Sequence, residues 1–90
     1  MSSKERELLE EISNGKMSWG PLDNTEAARE RFDKIEAPEI TDNLDNLIDD
    51  DFIGDYKTHQ ESYSGKSRTD RILITKGLTL KGQDQSQWPE

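Results

Sequence analysis

Six cationic or titratable side chains fall within one short stretch: Lys57, His59, Lys66, Arg68, Arg71 and Lys76. They surround a Ser/Gly tip and are interleaved with Tyr56 and Tyr63. Cations spaced along extended chain between aromatic rings suit contact with phosphate oxygens better than bond-making chemistry. A second set, Asp42, Asp45, Asp49 and Asp50, occupies outward positions of a helical pattern and suits a basic protein partner. No further group is reactive in its context. His59 is the only histidine, cysteine is absent and no Gly-x-Ser-x-Gly elbow occurs, so no nucleophile system is assembled and the chain reads as non-enzymatic. The fragments Ser64-Gly65-Lys66 and Leu80-Lys81-Gly82 lack the frame of a phosphate loop and read as turns. Asp49, Asp50 and Asp51 are consecutive, and helical neighbours point about 100° apart, so they do not converge on one ion. The segment Asp42–Asn46 also departs from the calcium-loop pattern. No metal and no cofactor are expected.

Each set has a plainer explanation. The cations would offset acidic helices and keep a hairpin edge soluble, and the aspartates would be a solvated helix face. A lone histidine in a polar strand is ordinarily a surface residue.

The elements that must carry these residues follow from pattern. Ser2 and Glu5 fit a capping box, Leu8, Leu9 and Ile12 form an apolar stripe, and Gly15 ends a first helix covering about residues 3–14. Met17, Trp19, Gly20 and Pro21 combine turn chemistry with a large aromatic, and Trp19 is expected to cover the core. Asp23 or Asn24 caps a second helix whose face is Ala28, Phe32 and Ile35, running to about Glu36. Pro38 opens a third, in which Ile40, Leu44, Leu47 and Ile48 repeat at helical spacing, ending near Asp50. Phe52, Ile53 and Tyr56 begin a strand whose partner is Arg71–Thr75, with Ser62–Thr69 as a mobile tip. The expected core is Leu8, Leu9, Ile12, Ala28, Phe32, Ile35, Ile40, Leu44, Leu47, Ile48, Phe52, Ile72, Ile74 and Leu80. Residues 1–85 then form one domain and 86–90 a frayed tail.

Ninety residues, 29% of them hydrophobic, bury only one modest core, so stability should be marginal. The absence of cysteine and of any apolar run of membrane-spanning length gives the expectation of a soluble, cytoplasmic chain with no membrane partner. Net charge is −8, unevenly placed. Residues 1–56 carry six Lys/Arg against sixteen Asp/Glu, a balance of −10, and residues 57–81 carry six against two, a balance of +4. A homodimer, burying Trp19 or Trp88, is a further expectation.

Three stretches carry a family resemblance: Leu8–Lys16, a helix with a glycine turn; Leu47–Gly54, a helix leading into a strand; and Arg71–Gln83, with Leu78-Thr79-Leu80-Lys81-Gly82 as a turn into a terminal helix. Together they resemble the YjcQ-like winged-helix family of bacteria and their phages. The resemblance implies an α+β winged helix-turn-helix domain of three helices and a two- or three-stranded wing. The polar run Gln83–Gln87 departs from that family's apolar terminal helix, so this helix is expected to be short or absent. The functional expectation is a DNA-binding, regulator-like module touching nucleic acid through its basic wing, because an aspartate-lined third helix repels a phosphate backbone. The alternative is an acidic module for protein partners, which in its strongest form mimics the charge of DNA.

Overall fold

The computed structural model describes residues 2–87. In order, the elements are α1 (Ser3–Ser13), β1 (Ser18–Trp19), α2 (Glu26–Arg31), a π-helical turn (Phe32–Glu36), α3 (Ala37–Asp49), β2 (Ile53–Tyr63), β3 (Lys66–Leu78) and α4 (Leu80–Gln87). The strands form one antiparallel sheet in the order β1-β3-β2, making a small α+β domain elongated to 45 × 20 × 19 Å. Among the described residues no helix is long and apolar enough to cross a membrane.

Local chemistry sets both ends of α1. The Ser2 side chain accepts from the Glu5 amide at 3.2 Å while the Glu5 carboxylate accepts from the Ser2 amide, closing the capping box. At the other end Lys16 N–H reaches the Glu11 carbonyl and Gly15 N–H reaches the Ile12 carbonyl, the paired bonds that close a helix through a left-handed residue. Leu8, Leu9 and Ile12 are buried as the stripe requires, and Trp19 joins them at 7% exposure.

The second and third helices are not separated. Every residue at the junctions keeps right-handed helical angles, so one helix runs unbroken from Glu26 to Asp49 through the wide turn at Phe32–Glu36. Pro38 accounts for the wide turn: it lacks an N–H, and its ring would press on the carbonyl four residues earlier in a regular helix. The chain widens just ahead of it, and the Ala37 amide bonds instead to Phe32, five residues back. This corrects three expectations. No turn divides α2 from α3. The core face passes from Phe32 to Ala37 and on to Ile40, Leu44 and Leu47, leaving Ile35 more than half exposed and Ala28 only half-buried. The cap of α2 is Thr25, whose hydroxyl accepts from the Ala28 amide, while Asp23 braces Thr25 from behind.

α3 closes like α1, with Phe52 N–H on the Leu47 carbonyl and Asp51 N–H on the Ile48 carbonyl, and here the left-handed residue is Asp51, at φ 63°. Phe52 and Ile53 then enter the core, the latter missed by the pattern reading. The hairpin is longer than expected. β2 and β3 pair from Ile53↔Leu78 to Tyr63↔Lys66, so Ser62–Thr69 is strand except for Ser64 and Gly65. Both of these have positive φ, the conformation of a two-residue turn that matches strand twist, which Gly65 adopts without strain.

Thr79 joins the two halves of the chain. Its hydroxyl accepts from the Gly82 amide as the cap of α4 and donates to the Asp51 carbonyl, and its amide donates to the Phe52 carbonyl. Gly82 lies so close to Phe52 that a Cβ there would be driven into the Phe52 carbonyl. α4 thus approaches the Phe52 backbone through Gly82, and Leu80, expected inside, is 82% exposed. The terminal helix, expected to be short or absent, is present as Leu80–Gln87, while Trp88 lies outside the described residues.

These two positions give a paired prediction for thermal denaturation. Asp51→Gly relieves a left-handed non-glycine and removes an anion from a helix C-terminus, raising stability by about 0.5–1 kcal/mol. Gly82→Ala overfills the Phe52 contact and lowers it by about 1–3 kcal/mol.

Candidate interaction surfaces

The register of the hairpin brings part of the expected cationic set together. Lys57 lies opposite Leu73 and His59 opposite Arg71, so Lys57, His59 and Arg71 share one face, and all three are exposed. His59 Nδ1 sits 2.6 Å from Asp70 Oδ1, which fixes the ring beside a carboxylate. Lys66 follows the turn at the far end, and Lys76 pairs across from Asp55 near the base, so neither joins the Lys57–Arg71 group. Among the described residues Lys57, Lys66, Arg71 and Lys76 have no ion pair.

Arg68 departs from that expectation. Its side chain is 7% exposed and held on both sides: Nη1 donates to Glu26 Oε2 at 2.6 Å, Nη2 to Glu26 Oε1 at 3.2 Å, and Nε to Glu61 Oε1 at 2.6 Å. Hydrogen bonds to Glu26 first and Glu61 second push its pKa further up, so the charge is fixed and already matched. A guanidinium gripped in this two-pronged way anchors α2 to the hairpin and is not offered to a phosphate. The neighbouring Thr69 amide donates to Asp33 Oδ1 at 2.8 Å, and Arg29 Nη1 lies 3.8 Å from Glu61. The helix therefore straps the distal half of β3. Spacing gave no signal for this, because Glu26 and Arg68 are 42 residues apart.

The aspartates of α3 divide in the same way. Asp42, Asp45, Asp49 and Asp50 are all exposed, but Asp45 Oδ1 accepts from the Tyr56 hydroxyl at 2.7 Å and so ties α3 to β2. Desolvation first, then the Asp45 hydrogen bond and the charges of Asp45, Asp42 and Asp55, push the Tyr56 phenol up to about 12. Asp42, Asp49 and Asp50 have no cation within ion-pair distance among the described residues.

A third feature was not foreseen. A cleft of about 320 Å³ opens between α1, the β1 strand and the Phe32–Ile40 helix, floored by Trp19, Phe32 and Ile40. Its rim carries Glu7, Glu11, Glu36 and Glu39 with Lys4 and Lys16, and Leu22 at 89% exposure. Lys16 Nζ reaches Glu11 at 3.2 Å and lies 5.7 Å above the Trp19 ring, and the Trp19 indole N–H donates to Glu11 at 3.1 Å. Burial alone would raise the Glu11 carboxyl, but the hydrogen bonds from Lys16 and Trp19 overcome this and hold it below the usual range. Among the described residues no group of His, Asp or Glu could hold a metal ion.

The chain matches no family model, no curated protein and no solved structure.

Tyr56 gives a direct check of the α3–β2 contact. Its phenol is raised on folding, by burial first and the Asp45 hydrogen bond second, so the stability linked to it is fully present below pH 10 and is lost as pH rises from 10 through about 12. In a Tyr63→Phe background, absorbance titration of the remaining phenol should give a midpoint above that of an unfolded tyrosine, and Asp45→Asn should move it back toward 10. An unshifted midpoint in the parent would remove both the burial and the contact, and a midpoint unmoved by Asp45→Asn would remove the contact alone.

Proposed function

We propose that this domain is a non-catalytic interaction module of winged-helix type whose acidic helical surface receives a basic protein partner. The order of elements, with β3 central and a hairpin following α3, supports the winged-helix resemblance, although the helix running unbroken into α3 lacks the turn of a helix-turn-helix. One observation carries the choice of partner: the most enclosed cation of the arm, Arg68, is neutralised by Glu26 and Glu61, while Asp42, Asp49 and Asp50 face solvent with no ion pair among the described residues. Affinity for nucleic acid rests on cations free to displace counter-ions from phosphates, and Arg68 is not among the free cations of the arm. A surface of unmatched aspartates steers a basic partner instead.

A second reading survives on a separate observation, the exposed face of Lys57, His59 and Arg71 with Lys66 beyond it. Wing-led DNA binding through three or four cations would be weak and steeply dependent on salt.

Fluorescence anisotropy at low ionic strength distinguishes them, with a random-sequence DNA duplex and a lysine-rich peptide as probes. The expected outcome is peptide binding that falls by about tenfold or more when Asp42, Asp49 and Asp50 are all changed to Lys, with no binding of the duplex. Duplex binding abolished by Lys57→Glu with Arg71→Glu would replace the acidic module with the wing. Failure of the peptide to bind would overturn the acidic module outright.

A further inference from the structure

We infer that the cleft between α1, β1 and the Phe32–Ile40 helix is the anchoring site of that partner, taking one bulky aliphatic or aromatic side chain flanked by Lys or Arg. The inference rests on the acidic-module reading and names the seat and chemistry of its ligand. At about 320 Å³ the cleft is at the small end of ligand pockets, enough for one or two side chains. Its floor is apolar, with Trp19, Phe32 and Ile40 all at 7% exposure or less, and Leu22 extends that apolar surface to the rim almost wholly bare. The exposed apolar surface of the cleft, chiefly Leu22 backed by this floor, favours a hydrophobic side chain.

The rim selects for what flanks it. Four carboxylates face two ammonium groups around the opening. Lys16 is taken up by Glu11, and Lys4 is divided between Glu39 at 3.7 Å and Glu7 at 4.0 Å, both more than half exposed. Among the described residues Glu36 has only a distant contact with Arg31, at 3.9 Å. These are long, solvated pairs of little energetic worth, so Glu7, Glu36 and Glu39 are available to incoming cations, which Lys4 would yield to at small cost. A guanidinium would bind a rim carboxylate in a two-pronged manner that the Lys4 ammonium does not match. An apolar floor under an acidic rim is complementary to a basic amphipathic segment and repels an acidic one.

Trp19 in the floor supplies the readout. In the full chain carrying Trp88→Phe, its emission is followed while a capped peptide of two leucines flanked by lysines and arginines is added. The expected result is a saturable change in emission, weakened about tenfold or more by three separate changes. These are Leu22→Asp, Glu7→Lys with Glu39→Lys, and replacement of the peptide's leucines by alanine. The substituted residues are all largely exposed, and circular dichroism checks that the variants remain folded. Unaltered affinity in the cleft variants, with loss only on Asp42→Lys and Asp49→Lys, would overturn the cleft and leave the acidic module standing. Absence of binding by any of the cationic peptides would remove both.

Discussion

The hairpin reaches further than the core can follow, so its distal half depends on the Arg68 guanidinium locked between Glu26 and Glu61. Buried apolar side chains gather around α1, α3 and the base of the sheet, the last on β3 being Ile72. Beyond it, ion pairing and the Asp33–Thr69 hydrogen bond hold the helix against the strand. Breaking one partner of an enclosed ion pair is costly because the remaining charge is stranded. That grip also covers the edge of β3 past the two-residue β1, where unpaired strand groups would otherwise face solvent.

Sequence and structure agree where a local rule operates. The capping box at Ser2, the stripes of α1 and α3, the close of α3 near Asp50 and the central parts of the hairpin were all legible because each rests on residues within a turn or a pleat of one another. Disagreement begins where a neighbouring element overrides the pattern. Ile35 fits a helical face in sequence, but Pro38 forces the wide turn and rotates it outward. Leu80 looks like core in the sequence, but in the structure α4 approaches Phe52 through the Gly82 backbone and Leu80 faces outward. The polar stretch Ser62–Thr69 carries no apolar alternation, so nothing in it announced a strand.

The candidate surfaces show the same division. Charge asymmetry between the first 56 residues and the hairpin was readable, and Lys57, His59 and Arg71 do share a face. What no spacing revealed was which charges were already matched. Arg68 is matched by a helix 42 residues away and Asp45 by the Tyr56 hydroxyl, whereas Asp42, Asp49 and Asp50 have no ion pair among the described residues. The cleft has no signature in the sequence because its floor and rim come from three separate segments, each with an ordinary pattern of its own.

The wide turn at Phe32–Glu36 amounts to one residue more than a regular helix would need to keep Phe32 and Ile40 on a common side. Deleting that surplus would restore regular winding but return the Pro38 ring to a carbonyl it cannot tolerate. Replacing Pro38 would lift the ring but leave an orphan residue in the spiral. Neither alteration is harmless without the other, so positions 32–38 should drift through descendants of this chain as a single inherited block.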